Sequence, residues 1–81
     1  MNEKKKKRIK ELEEMIEVVV LSIPREIASQ KYYQKALEKA SSETTMKFFK
    51  TLVMEEKGHE ANLKMILKDL QTELNQLKKS K

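Results

Sequence analysis

Leu52-Val53-Met54-Glu55-Glu56-Lys57-Gly58-His59-Glu60-Ala61-Asn62-Leu63 is the stretch on which the fold turns. Leu52, Glu56, His59 and Leu63 recur at spacings of three and four, so they share one helix face. Carried outward, the same spacing gives Thr45, Phe49, Leu67, Leu70, Leu74 and Leu77. This predicts a second helix over about 43–78. Its stripe is apolar except at the centre, where Glu56 and His59 stand. Lysines at the C-terminal end suit the negative pole of the helix dipole.

The N-terminal half carries a matching stripe: Ile9, Leu12, Ile16, Val19, Ile23, Glu26, Gln30, Tyr33, Leu37 and Ala40. Spacings of three and four alternate without a break, which predicts a first helix over about 9–40. Val20, Ile27 and Ala36 widen the stripe to what a bundle helix needs. Pro24 falls inside it. Proline removes one backbone hydrogen bond and crowds the preceding turn, so a kink or bulge is expected near Ser22. A separate helix starting near Pro24 is the other reading; the unbroken stripe favours one kinked helix. Ser41 and Ser42, followed by Glu43, mark a turn and a helix start.

Composition supports the same reading. The 81 residues include one Gly, one Pro and no Cys, with hydrophobic and charged residues at 38% each. That leaves little material for tight turns and suits amphipathic helices with one buried stripe. Two helices cannot bury a full core alone, and no disulfide compensates. The expected architecture is an all-α antiparallel two-helix hairpin that dimerises into a four-helix bundle.

The polar exceptions carry the chemistry. A carboxylate at a core position is costly unless something neutralises it. The midpoint between Glu56 and His59 lies as far after Ser41 and Ser42 as Glu26 lies before them. An antiparallel hairpin therefore brings Glu26, Glu56 and His59 to one level. Glu-x-x-His on one helix face lets both side chains reach one ion. A two-fold dimer would gather two copies of the set around its axis, where the carboxylates repel unless divalent cations intervene. A Glu from each of two helices and a Glu-x-x-His from each of the other two is the ligand plan of ferritin-like di-metal bundles. Oxygen and nitrogen donors without sulfur suit iron or manganese, and zinc is compatible.

The neighbours divide. No Lys or Arg lies on the stripes at the level of Glu26, which counts against a buried salt bridge there. Lys57 and Glu60 are expected to point away from the site. Gln30 is expected to support the site or an interface rather than to ligate. Tyr33, on the Glu26 face, can hydrogen-bond the site or fill the core. Phe48, Phe49, Met46, Met54 and Met65 are expected to pack.

The net charge of +5 arises mainly at the two ends. Residues 1–8 are expected to be a basic, solvated tail, distinct from the hairpin of 9–81. The apolar run Val18 to Ile23 is too short for a signal peptide core or a membrane span. No aromatic interleaving or groove-reading motif accompanies the basic residues, so nucleic acid is not an expected partner. The lack of Cys fits a cytoplasmic protein.

Glu26-Ile27-Ala28-Ser29-Gln30-Lys31-Tyr32-Tyr33, then Phe48-Phe49, Leu52 and Glu55-Glu56-Lys57-Gly58-His59, resemble the ferritin-like superfamily. They are most similar to rubrerythrin-type domains and the short encapsulated ferritins, over about Val18 to Leu70. The resemblance implies that Glu26, Glu56 and His59 are ferroxidase-centre ligands and that Tyr33 is the tyrosine beside them. It further implies two iron ions per homodimer, Fe(II) oxidation, assembly into a ring-like oligomer and a shell protein as partner or compartment. A rubrerythrin-like peroxide reductase and a non-enzymatic helical module are the alternatives. There are departures. No Cys-rich electron-donating segment is present, and Arg25 and Ala28 replace the extra acidic residues found near the first ligand of encapsulated ferritins.

Overall fold

A computed structural model describes residues 2–79. Among them, two helices account for nearly everything: α1 spans Glu3–Lys39 and α2 spans Glu43–Lys79. They pack antiparallel as a hairpin with Cα extents of 61 × 14 × 13 Å. Two parallel rods lying flat would be only about one helix thick in the shortest direction. The near-equal short dimensions therefore mean that the helices incline about one another, as interlocking three- and four-residue ridges predict.

The first helix starts earlier than its apolar period suggests. Asn2 is extended, and its side chain accepts a hydrogen bond from the Lys5 amide at 2.7 Å. That cap, with Glu3 in the first turn, lets the lysine run continue as helix. Residues 3–8 are thus the first turns of α1 rather than a separate tail, although most of their side chains are exposed. Met1 lies outside the described residues.

Pro24 does not interrupt α1, and no separate helix begins there. Its ring is exposed, while the Ser22 hydroxyl donates to the Val18 carbonyl at 2.7 Å on the preceding turn. The turn forms where the serines predict. The Ala40 amide donates to the Leu37 carbonyl at 3.1 Å and closes α1. Ser42 Oγ accepts from the Thr45 amide at 3.1 Å and opens α2.

Burial within one chain is thin. Leu12, Val19 and Val53 are the fully buried hydrophobic residues among those described. Ile9, Ile16, Ile23, Leu63, Leu67, Leu70 and Leu74 are only half-buried along the seam. Large apolar side chains stand in the open, including Met15, Val18, Leu21, Tyr32, Phe48 and Ile66. No helix is long and apolar enough to cross a membrane. The end far from the turn is closed by ion pairs between the helices, Arg8 with Glu73 at 2.7 Å and Lys78 with Glu13 at 3.7 Å.

Candidate metal centre

The two stripes meet at mid-height, as the hairpin register requires. Glu26 reaches in from α1, and Glu56 and His59 reach in from successive turns of α2. His59 Nδ1 lies 3.4 Å from Glu26 Oε2 and 3.5 Å from Glu56 Oε1. One ligand atom from each of the three residues falls within 4.8 Å of the others. The two carboxylates are largely covered, with side chains 26% and 18% exposed, whereas His59 is 55% exposed. The cluster therefore sits at the edge of the seam and opens to one side.

Its electrostatics are unsettled without a cation. Glu26 Oε2 is buried and has no hydrogen-bond partner among the described residues. With His59 Nδ1 at 3.4 Å as its ion-pair neighbour, that atom is compensated only in part for its lost hydration. The Glu56 carboxyl is pushed above the ordinary carboxylate range, first by hydrogen bonding toward Glu26, then by burial and by the Glu26 charge. The nearby imidazole acts in the opposite direction. Two close carboxyl groups, with an imidazole nitrogen facing both, form a donor set a divalent cation can satisfy. The orphaned oxygen fits that occupant better than it fits the hairpin alone.

Behind this cluster is a second polar group. Gln30, one turn beyond Glu26 on α1, donates through Nε2 to Glu60 Oε1 at 2.6 Å. The same nitrogen approaches the Glu56 carbonyl oxygen at 3.5 Å. Lys64 Nζ holds the other oxygen of Glu60 at 2.5 Å. These two donors, Lys64 first and Gln30 second, draw the Glu60 carboxyl below the usual range. Glu60 thus does not point away from the site region. It lies four residues after Glu56, one full turn on, and its side chain is 20% exposed. The four-residue spacing from Glu56 was the signal for it.

Tyr33 takes a packing position. Its ring stacks on Phe49 at 6.4 Å between centroids and meets Tyr32 edge-on at 5.5 Å. Phe48 extends the aromatic group at 5.2 Å from Phe49. Among the described residues the Tyr33 hydroxyl has no hydrogen bond to the three clustered side chains. Gly58 lies between Glu56 and His59 in helical conformation, and a methyl group there would meet nothing within 4 Å.

A family model described as Rubrerythrin matches residues 17–81, from just below Val19 through the whole of α2. Nothing among the curated proteins matches, and nothing among the solved structures.

Proposed function

Because the chain belongs to the rubrerythrin family over residues 17–81, we propose that it is a di-iron carboxylate protein of ferroxidase type, in which two Fe(II) ions per dimer are oxidised between two copies of the hairpin. The observation that carries this reading is the convergence of Glu26, Glu56 and His59 within 4.8 Å, with one carboxylate oxygen buried and orphaned. The same atoms explain why the site needs a second copy. Three donors from one chain leave an ion under-coordinated, and the half-open His59 faces outward toward whatever covers the seam.

Surface area supports the dimer. The hairpin exposes 6569 Å². A compact monomer of this mass exposes roughly 5,100 Å² by the usual scaling. The excess is larger than the roughly 800 Å² that each partner contributes to a standard interface. Tyr32, Phe48 and Ile66 are among the exposed residues available to fill it.

Iron supplies the one-electron chemistry when bound, with dioxygen or peroxide as electron acceptor. The chain's own part is to bind and to shield. Glu26 and Glu56 offer carboxylate oxygens, and Glu56, whose carboxyl is held above the ordinary range, must be ionised to ligate. His59 offers Nδ1, the nitrogen that already faces both carboxylates. Tyr33 and Phe49 wall the seam on the side of the turn. Manganese and zinc suit the same donors.

Fe(II) oxidation followed by absorbance tests the reading, with Glu56→Ala and His59→Ala as controls. Both variants should fall to the uncatalysed rate. Equal rates in all three proteins remove the claim. The family match also favours a second reading, peroxide reduction with an external electron donor. Peroxide consumption that depends on added donor selects it over ferroxidase activity. A protein that carries no metal by elemental analysis, and whose oligomer size ignores added metal, is a non-enzymatic module instead.

A further inference from the structure

The Gln30–Glu60 contact has no ligand role in the reading above, yet it is the shortest hydrogen bond between the side chains of the two helices at mid-height, at 2.6 Å. We propose that Gln30 and Glu60 form a strap that positions Glu56 and His59 against Glu26, so that the site has its ligands level before any cation arrives. The proposal rests on the metal-site reading and adds what sets the geometry of that site.

The argument begins with what the seam lacks. At the level of the cluster the seam is largely polar, and Val53 is the fully buried apolar residue beside it. Glu26, Gln30, Glu56 and Glu60 occupy seam positions there, and all four are half-buried rather than enclosed. Apolar contacts are non-directional and tolerate small axial slips. A slip of one residue moves a helix by about 1.5 Å, and misplacement of about 1 Å is enough to spoil a ligand constellation. A directional contact is needed instead.

Gln30 supplies it. It follows Glu26 by four residues, and Glu60 follows Glu56 by four, so each strap residue sits one turn from a carboxylate ligand on its own helix. The Gln30 amide points one N–H at the Glu60 carboxylate, a charge-assisted bond, and its nitrogen also lies at the limit of contact with the Glu56 carbonyl oxygen. The second contact, at 3.5 Å, is weak but aims the amide at the very residue that ligates. Lys64 completes the strap by fixing Glu60 from its other oxygen. With both oxygens held by donors, Glu60 is turned toward Gln30 rather than toward the cluster. The carboxylate count at the site stays at two per chain as a result.

Cobalt(II) titration of the full chain, read by its visible absorption, tests the strap independently of turnover. Gln30→Met keeps the shape of the side chain and removes the donor. Glu60→Leu removes the acceptor, while Glu60→Gln keeps an acceptor oxygen for Gln30. The expected result is about tenfold weaker cobalt binding and an altered absorption band in Gln30→Met and Glu60→Leu, with Glu60→Gln within about twofold of the parent. A purely structural contact would lower the melting temperature and leave the band and the affinity of the folded protein unchanged. Should Gln30→Met fail to fold by circular dichroism, the two Glu60 variants decide. Equal affinity in Glu60→Leu and Glu60→Gln, whether like the parent or equally weakened, overturns the strap. A parent protein that shows no cobalt band overturns the metal site itself, which is a separate failure.

Discussion

The hairpin has two levels that treat the same seam differently. Toward the end far from the turn, Leu12 is closed off within one chain, and Arg8–Glu73 and Lys78–Glu13 pin the exit. At mid-height the seam holds Glu26, Glu56 and His59, and one carboxylate oxygen is left without a partner. The first level satisfies itself. In the proposed reading, the second is completed by a cation and a second copy. Stability in this molecule is thus assembled away from the site, and the site spends part of it, as functional clusters commonly do.

The sharpest way to break that contrast is to attack the self-sufficient level. Leu12 is 1% exposed. Leu12→Ala should cost about 3 kcal/mol through lost burial and a cavity, seen as a fall in the melting temperature of the metal-free protein. Phe48→Ser is the counterpart on the open face. Phe48 is 58% exposed within the chain, so its loss should leave the helical signal intact and weaken self-association in sedimentation. A large loss of helix in Phe48→Ser, with association unchanged, would erase the distinction between the levels.

The next test asks whether the metal repairs the second level. A ligand present at a hundred times its dissociation constant stabilises the folded state by about 2.7 kcal/mol. Added Mn(II) or anaerobic Fe(II) should raise the melting temperature of the parent accordingly and leave His59→Ala unmoved. Glu26→Leu makes the opposite point without metal. It removes the orphaned oxygen and should stabilise the metal-free hairpin by about 1 kcal/mol while abolishing the metal response. If Glu26→Leu destabilises the metal-free chain, the carboxylate is held by contacts within the hairpin after all.

The stripes, the turn at Ser41 and Ser42 and the ligand level could all be read from spacing, because a regular helix converts sequence distance directly into height and face. Two features escaped that arithmetic. Residues 3–8 carry no apolar period, so only the Asn2 cap marks them as helix. Pro24 reads as lying inside one helix, and α1 does run through it, with the proline at an exposed position. Glu60 was expected to point away because a charged residue beside a stripe is ordinarily solvent-facing; its four-residue spacing from Glu56 gives its side of the helix, but not its partner, an amide on the other helix. Tyr33 is the intermediate case. Its face was legible, but only the ring contacts with Phe49 and Tyr32 show that it packs.

The smallest effect, and the one that links the two levels, is a pH dependence. Glu56 in the metal-free chain binds its proton more tightly than an ordinary glutamate, chiefly because of Glu26. A carboxyl whose value is raised on folding contributes stability that is fully present below its unfolded value, about 4.3, and is lost as pH rises through the folded value. The metal-free melting temperature should therefore drift downward between mild acid and neutrality. Glu56→Gln, which cannot ionise, should flatten that drift. With metal the sign reverses, because Glu56 must ionise to ligate and the cation then favours its ionised form. Metal-loaded protein should gain stability over the same pH interval in which the metal-free protein loses it. The two melting curves measured across that interval should diverge, and parallel curves would mean that the cation displaces no proton from Glu56.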